Sequence, residues 1–121
     1  MNIKNLLWIV LFVYEFTFGQ ALPRTTNENT CTPKSAGNPS IDDVPAISEA
    51  LAKCGNGGTI IIPAGQIFTI RSPLYFRDCI GCDFQIEGTL KISDDVDYWQ
   101  TQHSVFHLND VEGAIFHSST G

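Results

Sequence analysis

Three aspartates, Asp94, Asp95 and Asp97, crowd the end of an extended run, and their type and spacing suggest chemistry. Paired carboxylates cleave glycosidic bonds, one as acid and one as base, held about 6.5–9.5 Å apart in inverting enzymes. Adjacent residues of an extended chain point to opposite faces. Asp94 and Asp95 therefore cannot serve one ligand without a bend, whereas Asp95 and Asp97 can share a face. A solvated turn accounts for all three more simply. Asp42 and Asp43 form a second pair, placed where the first turn of a helix attracts acids, and they read as capping residues.

Other residues with chemical potential meet equally plain alternatives. His103 and His107 have the spacing of a metal pair on a helix, but residues 104–108 read as a strand, which separates them by more than about 10 Å. Gly55-Asn56-Gly57-Gly58 precedes a strand rather than a helix, so no phosphate-cradling loop is indicated. Asn29-Thr30-Cys31 is at best a rare glycosylation variant, and Asn38 precedes Pro39, so no standard sequon exists. Tyr98-Trp99 could stack on sugar, although a lone aromatic pair more commonly packs on a turn.

The four cysteines depend on the compartment, and the start of the chain addresses it. Lys4 precedes an apolar run over residues 6–18, too short for a bilayer-spanning helix, followed by small residues. That order predicts a secretory signal peptide over residues 1–20, cleaved after Gly19 or Ala21, although Glu15 interrupts the apolar run. A secreted protein free of the membrane after cleavage is the expectation. Outside the cytosol an even number of cysteines reads as disulfides, and three pairings are open. Cys31 and Cys54 flank the only helix candidate, and Cys79 and Cys82 sit together as Cys-Ile-Gly-Cys. Local pairing, Cys31–Cys54 and Cys79–Cys82, is the simplest and is favoured. A four-thiolate zinc site would want two close Cys-x2-Cys pairs, and only one exists, so no metal ligand and no cofactor is assigned.

The elements that must position these residues follow from periodicity. Residues 21–40 are rich in Thr, Asn, Pro and Ser, and read as an N-terminal tether held by Cys31. Ser40 or Asp42 then serves as N-cap to a short helix with Pro45 early, Lys53 in the last turn and Gly55 as stop. Ile41, Val44, Ile47 and Leu51 give it one apolar stripe. Beyond Gly58 the period becomes extended. Residues 59–63 and 67–70 are β-branched runs, and residues 84–92 form the clearest strand, with Phe84, Ile86, Leu90 and Ile92 on one face. Gly88 interrupts that strand and predicts a bend or bulge. Residues 104–108 and 113–117 are shorter strands. No tight Asn-Gly or Asp-Gly turn joins any two of them, which argues against a hairpin sandwich. The pattern suits an all-β coil, a right-handed single-stranded parallel β-helix represented by its N-terminal cap helix and first coils only, over residues 41–121.

Composition bounds the partners. Thirteen acidic residues against seven basic give a net charge of -6, which excludes nucleic acid as a natural partner because phosphates need a surplus of Lys and Arg. With 43% hydrophobic and 17% charged residues the chain is not disordered. Its length allows one domain, and a monomer is expected.

Asp42-Asp43-Val44-Pro45-Ala46-Ile47, Cys54-Gly55-Asn56-Gly57-Gly58-Thr59, Ile61-Ile62-Pro63-Ala64-Gly65 and Phe68-Thr69-Ile70 together resemble the start of a fungal polygalacturonase. Ile86-Glu87-Gly88-Thr89-Leu90-Lys91 and Ser93-Asp94-Asp95-Val96-Asp97-Tyr98-Trp99 strengthen the likeness, which is greatest to the exo-acting and rhamnogalacturonan-cleaving members of glycoside hydrolase family 28. The resemblance implies a right-handed parallel β-helix and inverting hydrolysis of galacturonosyl linkages in pectin, with polygalacturonate or rhamnogalacturonan as substrate. The family's catalytic motifs (Asn-Thr-Asp, Asp-Asp, Gly-His-Gly and Arg-Ile-Lys) lie downstream of the matching region. Asn109-Asp110 lacks the intervening Thr, Asp94-Asp95 falls in the wrong coil, no His adjoins Gly, and Ile70-Arg71-Ser72 is no match to the basic motif. No catalytic or substrate-binding residue is therefore assigned to this chain. The expectation is an N-terminal fragment of a secreted pectin hydrolase, inactive alone and poorly stable, because a solenoid of fewer than about three coils buries little core. The alternative is a non-catalytic secreted pectin-binding or interaction protein with a short β-helix.

Overall fold

The computed structural model describes residues 29–119. The signal segment, residues 1–20, and the first part of the tether, residues 21–28, lie outside the described residues. Helix α1 (Val44–Cys54) starts with Pro in its first turn, where the missing N–H has no partner to lose. It buries Val44, Ile47, Ala50, Leu51 and Cys54. Ile41 lies before the helix and is exposed, so Ala50 and Cys54 complete the stripe in its place. The N-cap is Asp43 rather than Ser40 or Asp42, and its side chain caps nothing in the helix.

The strands are β1 (Thr30–Cys31), β2 (Thr59–Ile62), β3 (Ile67–Ile70), β4 (Leu74–Tyr75), β5 (Asp83–Ile86), β6 (Thr89–Ile92), β7 (Phe106–His107) and β8 (Ile115–His117), with a one-turn helix α2 (Val96–Trp99) after β6. Every described strand pair is parallel. The strands form three sheets, ordered β1-β2-β5-β8, β3-β6 and β4-β7. The chain thus visits the three sheets in turn and returns to the first, laying each circuit on the one before. Two of these strands were not expected from the sequence. Thr30–Cys31, within the supposed tether, is a strand paired with β2, and Leu74–Tyr75 pairs with β7.

The run 84–92 is not one strand. It divides at Glu87-Gly88 into β5 and β6, which belong to different sheets. Gly88 is the corner. A Cβ there would stand 2.2 Å from the Pro63 carbonyl oxygen and 2.7 Å from that of Gln66, so only glycine lets one corner rest on the corner below. The Gly88 and Thr89 N–H groups donate to Ile62 and Gln66 carbonyls at 3.0 Å each, tying the two corners. Alternation along both halves kept the apolar face intact while the backbone turned between them.

Stacking registers build the core. Ile60 lies beside Phe84, Phe84 beside Phe116, Phe68 beside Leu90, and Leu74 beside Phe106. Phe76 meets Phe84 and Phe116 edge to face at 5.1 and 5.2 Å between centroids, the geometry that aromatic quadrupoles favour. Helix α1 covers the β1–β4 end of this core. Away from α1, burial falls off: Phe106, Leu108, Ile115 and Phe116 are 37–60% exposed.

One buried carboxylate joins the N-terminal segment to the coil. Asp43, 3% exposed, accepts from Ala36 N–H at 2.9 Å and Thr69 N–H at 2.8 Å, and Ser35 Oγ lies 3.2 Å away. Its own N–H donates to the Thr69 carbonyl at 2.9 Å. Asp42 acts alongside it, accepting from Arg71 N–H at 2.9 Å, from Val44 N–H at 3.2 Å and from Ser72 Oγ. The acid pair read as helix capping therefore mainly fastens the segment before α1 to β3 and the residues following it.

Two disulfides, Cys31–Cys54 and Cys79–Cys82, complete the frame. The first ties β1 to the end of α1, and the second spans the turn leading into β5. At the far edge, Glu87 accepts from Ser119 Oγ at 2.7 Å, Ser119 N–H at 2.8 Å and Gln85 Nε2 at 2.7 Å. The Ser119 hydroxyl, then its N–H, then Gln85 hold the Glu87 carboxyl below its ordinary 4.5, with the His117 charge adding a little.

Replacing Asp43 with Ala orphans two backbone N–H groups and should cost about 3 kcal/mol, read as a lower urea midpoint, with Asp43→Asn milder because one acceptor oxygen remains. Removing Cys31–Cys54 as the Ala pair should cost about 3 kcal/mol and removing Cys79–Cys82 about 2, since the longer loop restrains the unfolded chain more. Glu87 should titrate below 4.5 by carbon-detected NMR, and Ser119→Ala should raise that midpoint. Its contribution to stability is present above pH 4.5 and fades as pH falls through the depressed folded value.

Candidate functional site

Of the carboxylates that suggested chemistry, one has a structural task and two face solvent. Asp95 is the N-cap of α2, its Oδ1 accepting from Tyr98 N–H at 3.1 Å, and Asp94 and Asp97 are exposed beside it. A single helical turn replaces the extended geometry in which Asp95 and Asp97 would share a face. Tyr98 and Trp99 meet edge to face at 5.1 Å. Trp99 donates through Nε1 to Ser93 Oγ at 3.0 Å and packs against the core, so its ring is occupied by the protein itself.

His103 is exposed in a bend, while His107 lies on β7 and stacks on Tyr75 at 4.3 Å between centroids. The Arg77 guanidinium stands 5.1 Å from the Tyr75 ring centroid, a cation–π contact that continues the stack. Among the described residues, no group of three His, Cys, Asp or Glu side chains could hold a metal ion. No described helix is long and apolar enough to cross a membrane. The glycines at 55–58 make the turn from α1 into β2, and the Gly57 N–H is spent on the Ile80 carbonyl at 2.9 Å.

A groove that no sequence motif announced lies on the outer face of β3 and β6. It has a volume of about 390 Å³ and is walled by residues 34–39 on one side, with Gly65, Gln66, Ile67, Thr69 and Lys91 beneath and opposite. Parallel register sets Lys91 beside Thr69, and the Asp43 anchor holds the 34–39 wall over them. The wall is fixed further by Ser35 N–H donating to Gln66 Oε1 at 2.9 Å, Ser35 Oγ to the Ile67 carbonyl at 2.6 Å, and Arg71 Nη1 to the Pro39 carbonyl at 3.2 Å. Lys34 and Lys91 both line the groove, and no Asp or Glu does. Sequence reading missed it because its two cations lie in different elements far apart in the chain. The one available signal was the outward position of Lys91 in the alternation of residues 84–92.

Comparison with known proteins shows what these features are similar to. No family model matches the chain. A probable endo-xylogalacturonan hydrolase A of Aspergillus niger is 47% identical over 91 residues, 75% of this chain and 22% of the relative. Endo-xylogalacturonan hydrolase A of Aspergillus tubingensis is 46% identical over 91 residues, with the same shares. The crystal structure of endo-xylogalacturonan hydrolase from Aspergillus tubingensis superposes with a TM-score of 0.73 at 45% identity, covering 75% of this chain and 24% of that one. The chain thus spans about a fifth of the length of the curated relatives it matches. Their names carry endo cleavage and xylogalacturonan, whereas the sequence likeness pointed toward exo-acting and rhamnogalacturonan-cleaving members. In sequence and in backbone this chain is similar to the fungal endo-xylogalacturonan hydrolases over about a fifth of their length.

Proposed function

We propose that this chain is the N-terminal part of a secreted pectin-degrading hydrolase, in which it forms the cap and first coils of a right-handed parallel β-helix. The observation that carries this reading is the match, in sequence and in backbone, to the endo-xylogalacturonan hydrolases. The full-length protein would hydrolyse galacturonosyl linkages with inversion, acting on a galacturonan such as the xylogalacturonan named for its relatives. The geometry supports a division of labour. Helix α1 closes one end of the coil, and the outer edges of β6, β7 and β8 present a template for further strands at the other. Phe76, Phe84, Leu90, Phe106, Leu108 and Phe116 line an open apolar hollow of about 140 Å³ there, a surface that another coil would bury.

Catalysis belongs to coils beyond this sequence. Asp42 and Asp43 act as anchors, Asp95 as a cap, and Asp83 and Glu87 as partners of His117 and Ser119. The role of this segment is to start the coil, fix its register and seal its core from water.

The purified 121-residue chain should release no reducing ends from xylogalacturonan or polygalacturonate above a vector control, and release would overturn the division of labour. Grafting residues 29–119 in place of the matching segment of the Aspergillus tubingensis enzyme should give a secreted chimaera whose xylogalacturonan hydrolysis stays within about tenfold of the parent, a change of about 1.4 kcal/mol. A chimaera that fails to fold would sink the cap assignment.

A further inference from the structure

We propose that the groove over β3 and β6 is a binding site for an anionic saccharide, engaging a sugar carboxylate through Lys34 and Lys91. The argument begins with which polar groups the groove has left unspent. Asn38 uses its amide oxygen on Ser40 N–H at 2.9 Å, and Gln66 uses its own on Ser35 N–H at 2.9 Å. Ser35 Oγ donates to the Ile67 carbonyl and accepts from Gly37 N–H. What remains on the lining side chains is two ammonium groups, two amide NH₂ groups and the Thr69 hydroxyl. The groove is therefore a field of donors, and its complement is a ligand rich in acceptors.

Charge sharpens that complement. Five cations lie among the described residues of a chain with net charge -6, and two of them line this one groove with no acid beside them. Neither lysine is ion-paired with a described residue. Asp43 stands behind the wall rather than in the groove, with its oxygens taken by Ala36, Thr69 and Ser35. Two ammoniums lining one groove without a counter-charge favour a carboxylate, since charge-assisted bonds are about twice as strong as neutral ones.

Shape and rigidity complete the case. A volume of about 390 Å³ falls within the range of small-molecule sites, about 300–1,000 Å³. Ile67, 56% exposed, together with Pro39 offers an apolar patch for the C–H face of a pyranose ring, while the amides suit its hydroxyls. The wall is held by the Asp43, Gln66 and Arg71 bonds before any ligand arrives, so little ordering is left to oppose binding. The choice of a uronate among acidic ligands rests on the galacturonan reading above; the set of unspent donors does not.

Titration of the ¹⁵N-labelled full chain with trigalacturonate should shift amides at residues 34–38, 65–67 and 91. The Lys34→Gln/Lys91→Gln double variant should bind at least about tenfold more weakly, as should the methyl ester of the same trisaccharide with wild type. Lys53→Gln, a cation on α1 away from the groove, should leave affinity unchanged. Equal loss from Lys53→Gln, or no shifts with any acid, would overturn the site. Inorganic phosphate binding as tightly as trigalacturonate would overturn the saccharide assignment. Neither result bears on hydrolysis by the chimaera, so failure of this site and failure of the hydrolase reading are separable.

Discussion

A carboxylate taken out of water must find donors in place of its hydration shell, and Asp43 finds them on two separate stretches of chain. Ala36 N–H comes from the N-terminal segment and Thr69 N–H from β3. Because a half-satisfied buried charge is expensive, those two stretches are fixed relative to each other and to the start of α1. The position of α1 over one end of the core and the groove wall at 34–39 both inherit from that arrangement. Cys31–Cys54 acts in the same direction, joining β1 to the far end of the same helix.

The rest of the architecture is repetition. Parallel register puts like beside like, so that a corner rests on a corner and an inward residue on an inward residue. Gly88 is required only because Pro63 and Gln66 turn the same corner one circuit below. Side chains along the stack share one interior, from Ile60 through Phe84 to Phe116. Such a coil gains stability by adding circuits, and a circuit with no neighbour or cap on one side leaves its apolar residues exposed there. Here Phe106, Leu108, Ile115 and Phe116 carry it.

Sequence periodicity was most legible where one residue's neighbours are close in the chain. The apolar stripe at Val44, Ile47 and Leu51 placed α1, and the β-branched runs placed β2 and β3. The strands β1 and β4 escaped notice because two-residue elements have no period to read. The break at Gly88 was visible as an interruption but not as a change of sheet, since alternation continues across it. Asp42 and Asp43 were recognised as structural with only part of their partners: a first-turn position predicts capping, which Asp42 gives to Val44 N–H, and only the fold brings Ala36, Thr69 and Arg71 within reach. The groove was invisible for the same reason, because Lys34 and Lys91 come to line one groove only through the β3–β6 register and the folded wall.

Composition, spacing and motif likeness by themselves determined that this is an acidic, disulfide-containing chain of strands behind one amphipathic helix, akin to the start of a family 28 hydrolase. Those properties are local, set by side-chain type and by periods of two and 3.6 residues. Tertiary structure alone decided which carboxylates are buried, where the chain changes sheet and which cations share a groove. These are decided by contacts between residues remote in sequence, and parallel stacking creates them only when one circuit of chain closes over another.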